Sequence, residues 1–213
     1  MIVGNPDVFA IESEISTAYE RLSFRALGFF VIHIMGRSYG VKKPDASLLA
    51  CSFDEVGMRI ERRGHHTPPF AMDSNPSEVA HAFRRVLYDG CGEGELFFGM
   101  HGPQFSDVVR SNRLEWAPDG DEAFDDGSYV LQFEDENWAR LIAYKSIADK
   151  NTVGPTYDPS SLRDVWLSQD DFYGVLQTWK DGFETQWVAL PKVPIENDGA
   201  RMNSVFNGEN NHA

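Results

Sequence analysis

Eight acidic side chains and no basic one lie between Asp119 and Asn137: Asp119, Asp121, Glu122, Asp125, Asp126, Glu134, Asp135 and Glu136. Carboxylates at this density repel one another unless water, a bound cation or a cationic partner relieves them, and each remedy is a different chemistry. A calcium loop needs oxygen ligands at fixed positions, a glycine at the sixth and a bidentate Glu at the twelfth. Counted from Asp119, those places hold Phe124 and Val130, so the spacing excludes it. A nuclease centre of paired acids and a lysine wants an acid two residues before the lysine, and before Lys145 that place is Ala143. Two of these carboxylates at the right separation would serve a hydrolase acting on a polysaccharide, although no aromatic sugar platform can be assigned beside them. Two readings without catalysis remain: a solvated acidic loop, and a surface that receives a basic protein.

The elements around the acids decide where they point. Tyr129, Leu131 and Phe133 alternate with Val130, Gln132 and Glu134, which predicts a strand with one strongly apolar face. Trp138 to Tyr144 returns beside it as a second strand. The acids then fall in the approach, 119 to 127, and in the turn, 134 to 137. Spacing leaves open whether these two groups lie at opposite ends of one ladder or on one surface. Trp116 and Trp138 flank them as candidate anchors for a partner.

Upstream, Asp7 to Ser16 reads as a strand with Phe9, Ile11 and Ile15 inward and Glu12 and Glu14 on the wet side. Ala26 to Met35 is apolar on both alternating faces, as in a central strand, and Ser38 to Val41 completes an antiparallel meander. His33, inside the central strand, reads as a satisfied core residue. Ser52 to Glu55 has the form of a capping box and predicts a helix to about Arg63, with Phe53, Val56 and Ile60 inward. His65 and His66 fall in a Pro-rich loop without metal spacing. Asn75-Pro76-Ser77-Glu78 opens a second helix with Val79, Phe83 and Leu87 buried. A short helix follows Pro103, and Arg113 to Trp116 forms a strand. Residues 149 to 163 read as a loop. Ser168 caps a last helix whose Phe172, Leu176, Trp179, Phe183 and Trp187 share one face.

At 213 residues and 42% hydrophobic, the chain suffices for one well-buried core. The expected class is α+β: a single domain over 1–190, mainly an antiparallel twisted sheet packed by three to four helices, and a flexible tail over 191–213. No apolar run approaches a membrane span and the N-terminus lacks a basic region before a long apolar one, so the expected place is the cytoplasm. Cys51 and Cys91 then read as reduced, structural thiols. Net charge is −14, and it is regional: −3 over residues 1 to 118 and −11 over 119 to 213. That balance disfavours direct binding of nucleic acid and favours a basic protein partner. No nucleophile and base pair, cofactor fingerprint or metal motif is legible, so no catalytic residue, metal or cofactor is expected.

Several ordered blocks resemble the immunity 42 family of bacterial polymorphic toxin systems: MIVGNPDVFAIESEIS at 1 to 16, RALGFFVIHI at 25 to 34, RSYGV at 37 to 41, LLACSFDEV at 48 to 56, WAPDGDEAFDDGSYVLQF at 116 to 133, LRDVWL at 162 to 167 and DDFYGVLQTW at 170 to 179. The resemblance implies a cytoplasmic protein that binds a cognate toxin domain and blocks it, and it carries over no catalytic residue. Many such toxins are nucleases with basic clefts. The acidic stretch fits that implication, with the eight carboxylates, Trp116 and Trp138 expected on the toxin-facing surface. The number of copies in an assembly is not legible.

Overall fold

Val130 and Leu131 are neighbours on one strand and enter two different hydrophobic cores. The computed structural model describes residues 1–92, 94–147 and 156–194. The strand is β9 (Ser128–Glu134), and all its residues are buried. Successive side chains on a strand point to opposite faces, so Tyr129, Leu131 and Phe133 pack with Val79, Phe83 and Phe105, while Val130 packs with Phe9, Phe30 and Phe53. In place of the one strongly apolar face expected, both faces of this strand are therefore covered, by helices and by a second sheet.

Strand β9 belongs to a four-stranded antiparallel sheet in the order β11-β10-β9-β8. Its other members are β8 (Glu115–Ala117), β10 (Trp138–Ile147) and β11 (Thr156–Ser168). The loop expected over 149 to 163 is corrected from residue 156 onward, and residues 148–155 lie outside the described residues. Pro159 and the polar residues around it sit in an edge strand, where a missing amide is tolerated. The register there jumps from Ala143↔Arg163 to Lys145↔Asp158, so the intervening residues bulge. Ser161 Oγ accepts the Lys145 amide within this bulge at 2.8 Å.

A larger sheet carries β1 (Ile2–Asn5), β2 (Phe9–Tyr19), β3 (Ala26–Ile34) and β4 (Arg37–Tyr39) in sequence order. Strand β5 (Ser47–Leu48) pairs with β3, and β12 (Lys192–Val193) runs parallel to β2. The meander is as expected. Glu12, placed on the wet side from its alternation, is instead buried, because Lys42 Nζ at 2.7 Å offsets its charge and His33 Nε2 lies within hydrogen-bond distance at 2.9 Å. His33 is satisfied at both ring nitrogens, the second by Ser38 Oγ at 3.2 Å. Strands β6 (Leu96–Phe97) and β7 (Met100–His101) form a separate small hairpin.

Four helices complete the α+β architecture. Helix α1 (Ala50–Glu61) begins before the expected cap: Leu49 is the N-cap, without a side-chain bond, and Ser52 lies inside the helix. The Ser52 hydroxyl donates to Asp121 at 2.5 Å instead. Helix α2 (Pro76–Arg84) has the expected start, with Asn75 Oδ1 accepting the Ser77 amide at 2.9 Å, and continues into a π-helical turn, Arg85–Asp89. Helix α3 (Gly102–Ser111) follows. Helix α4 (Gln169–Ala189) is capped by Ser168, which accepts the Asp171 amide at 3.1 Å. Its Phe172, Leu176, Trp179 and Phe183 fill the core between the two main sheets, each side chain contributing about 1.5–3 kcal/mol by burial. Of the tail expected after residue 190, Lys192–Val193 pair with β2, and residues 195–213 lie outside the described residues.

Candidate functional site

In the β9–β10 ladder Ser128 faces Lys145 at one end and Glu134 faces Ala139 at the other. Seven residues of strand span about 20 Å, so the approach acids and the turn acids stand at opposite ends of one ladder. Helix α1 and the residues after it connect the two ends, from Ser52 beside Asp121 to Gly64, whose amide donates to Glu134 at 2.7 Å.

At the approach end a tight loop fixes the carboxylates. Asp119, with φ 31°, pairs with Arg113 at 3.5 Å. Asp121 caps a 3₁₀ turn, Glu122–Phe124, by accepting the Ala123 amide at 2.9 Å, and burial raises its pKa. Asp126 accepts the Ser128 amide at 3.1 Å and Lys145 Nζ at 2.5 Å. Glu122 and Asp125 remain exposed. Thus the stretch with no cation of its own borrows Arg113 and Lys145 from elsewhere in the chain.

At the turn end, Asp135 Oδ1 accepts the amides of Asn137 at 3.0 Å and Trp138 at 2.9 Å, which closes the hairpin. Asp135, Glu136 and Trp138 are exposed, Trp138 at 48%. Two expected surface residues are corrected here. Trp116 is 2% exposed and packs edge-on against Phe172 with ring centroids 6.2 Å apart, so it is a core residue. Glu134 is 1% exposed and accepts from Tyr173 Oη, Gln132 Nε2 and the Gly64 amide, which anchors it inside the fold.

The fold also adds groups that the linear pattern hid. Asp54 and Glu55 of α1 join the approach end: Arg113 bridges Glu55 at 2.5 Å and Asp119 at 3.5 Å. The Ser52–Glu55 motif was the available signal, and it reads as a cap until Asp121 is seen to take the serine. Cys51 beside them is exposed rather than structural, and burial, then the charges of Asp121, Asp54 and Glu122, push its thiol up, away from the reactive thiolate. A cavity of about 300 Å³ lies among Cys51, Ser52, Asp54, Met58 and Asp121. Beyond the Arg113–Asp119 pair a second, of about 410 Å³, is lined by Tyr88, Arg110 and Glu115. Burial pushes Glu115 up to about 7 against the opposing hydrogen bond from Tyr88, and the charge of Asp119 adds to the rise. Among the described residues no group of three or more His, Cys, Asp or Glu side chains is placed to hold a metal. No helix of the described residues is long and apolar enough to cross a membrane.

A family model described as Immunity protein 42 matches residues 1–182. Among solved structures, the crystal structure of CdiI from Burkholderia dolosa AUO158 is similar in fold, with a TM-score of 0.50 at 18% identity, covering 85% of this chain and 99% of that one. No curated protein matches the sequence.

Proposed function

The chain belongs to the immunity protein 42 family, and from that premise we propose that it neutralises a cognate toxin, a nuclease, by covering the basic active-site cleft with carboxylates held on a rigid sheet. The observation that carries this reading is the family match over residues 1–182. The acids at the two ends of the ladder fit it. Asp119, Asp121, Glu122, Asp125 and Asp126 at one end of the ladder, with Asp54 from α1, and Asp135 and Glu136 at the other, form the toxin-facing surface, together with Trp138. An interface of standard size covers about 800 Å² on each partner, roughly 30 Å across, so one partner spans both ends. Fixed loops suit this work, since carboxylates already held in place lose little freedom on binding. The protein acts in the cytoplasm, where its toxin would reach its target.

A carboxylate hydrolase has one observation in its favour, the cavity shared by Glu115 and Asp119. Family membership weighs against it. The deciding experiment produces the C-terminal domain encoded by the adjoining gene, as the candidate toxin, with and without this chain. Protection of growth together with a purified complex is the expected result. Unprotected cells, no complex and turnover of a polysaccharide by the chain alone would overturn the proposal.

A further inference from the structure

Resting on the immunity reading, we propose that Trp138 and Trp166 are the anchor of the toxin interface, receiving arginine or lysine side chains of the toxin against their indole faces with Asp135 and Glu136 as counter-charges. Trp138 pairs with Ser168 and Arg140 with Trp166, so Trp138, Arg140 and Trp166 project from the same face of the sheet and the two indoles are diagonal neighbours. Farther along that face Ile142 and Tyr144 are buried in the core beneath α2 and α3. The cover ends before the tryptophans, which remain 48% and 38% exposed.

Trp166 is exposed but held. The Arg140 guanidinium lies 5.2 Å from its ring centroid, and Arg140, itself 2% exposed, is fixed by two bonds of 2.8 Å to Asp164 and by a bond of 2.5 Å to the Met72 carbonyl. Trp138 is held at its amide by Asp135. A large aromatic surface fixed before contact, as Trp166 is, loses little entropy on binding, which is the property of anchor residues. At the same turn a cavity of about 470 Å³ is lined by Thr67, Pro68, Phe70 and Met72 together with Asp135 and Glu136, room for an inserted side chain.

Charge selects the occupant. Asp135, Glu136, Asp170 and Asp171 surround this end, and the nearby Arg63 is paired with Asp170 at 2.5 Å. A second copy of a chain carrying −14 would meet its own sign. A basic protein surface meets opposite charge at the rim and two exposed indoles at the centre, Trp138 and a Trp166 that already carries Arg140 against its ring. The acids at the far end, Glu122 and Asp125, lie at the rim of the same interface and act chiefly by steering the approach.

The test is the dissociation rate of the complex with the toxin domain encoded by the adjoining gene, carrying a substitution that abolishes its activity. Trp138→Ala and Trp166→Ala are each expected to dissociate about thirtyfold faster or more, Trp138→Ala with a thermal midpoint near wild type. Trp166→Phe, which keeps an aromatic face over Arg140, should recover most of the loss. Glu122→Lys/Asp125→Lys should slow association and change dissociation far less than either tryptophan variant. Tryptophan variants that dissociate at the wild-type rate, beside a loop variant that dissociates faster, would place the anchor elsewhere while the immunity reading stands. A wild-type chain that does not bind would remove both.

Discussion

Arg59 Nη1 donates to Gln132 Oε1 at 2.8 Å, and both side chains are fully buried. From this bond a polar network ties together α1, the central sheet and α4. Arg59 also reaches Glu55 at 2.9 Å and the Glu115 carbonyl at 2.7 Å. Gln132 Nε2 donates to Glu134 and to Tyr173 Oη, each at 3.1 Å, and the Tyr173 hydroxyl donates to Glu134. A buried charge is tolerable only while it is paired, so this network holds the two ends of the acidic ladder in a fixed relation.

Removing the cation should therefore be costly. Arg59→Ala is expected to lower stability by about 3–5 kcal/mol, the cost of leaving buried partners uncompensated. Arg59→Lys should recover little, since an ammonium cannot serve Glu55, Gln132 and the Glu115 carbonyl from one planar fork. Urea denaturation measures both, and a loss under about 1 kcal/mol for Arg59→Ala would contradict this role.

Two titrating groups oppose each other in the pH dependence of stability. His66 donates from Nδ1 to the Asn112 carbonyl at 3.0 Å and is fully buried. Burial, then the charge of Arg59, pulls it from its ordinary 6.5 to about 4. Its folded pKa lies below the unfolded one, so its contribution is complete above pH 6.5 and is lost as pH falls toward 4, in all about 3 kcal/mol. Glu115, raised from 4.5 to about 7, has the reverse sign: its contribution is complete below 4.5 and is lost as pH rises through 7. Between pH 4.5 and 6.5 the two offset each other. Glu115→Gln should make stability rise with pH across that window, and His66→Asn should make it fall. Urea midpoints at stepped pH test this, and parallel profiles for the two variants would contradict it.

What the residues disclosed in one dimension depended on whether their partners were local. The caps at Asn75 and Ser168 and the apolar stripe of α4 are built from neighbours in sequence, and they stand as read. Ser52 was misassigned because its partner, Asp121, is 69 residues away. Gln132 and Glu134 alternate as a solvent face would, yet Arg59 and Tyr173, from two helices, satisfy them in the interior. Trp116 stands beside the acids in the chain and points away from them into the core. Strand β11 was hidden by a composition typical of loops, which an edge strand with a bulge tolerates. At the candidate site, exposed acids were legible as a run, while their counter-ions Arg113 and Lys145 and the added Asp54 and Glu55 were not.

The two helical glycines of α4 differ in surroundings. A Cβ at Gly174 would meet nothing within 4 Å, whereas one at Gly182 would lie 2.8 Å from Met1 Sδ. Gly174→Ala should stabilise by about 1 kcal/mol through helix propensity. Gly182→Ala should gain less, because the thioether must move from its packing on the core. Thermal midpoints of the two variants compare them directly, and an equal gain would show that Met1 adds nothing at that position.

The central claim, that carboxylates on this scaffold draw in a basic toxin, is tested most directly by the association rate constant with the toxin domain of the adjoining gene as a function of salt. For the wild type the rate should fall steeply as salt rises. Asp54→Lys/Glu122→Lys/Asp125→Lys should associate about tenfold or more slowly at low salt and converge with the wild type at high salt. A triple variant that associates at the wild-type rate in low salt would contradict the account.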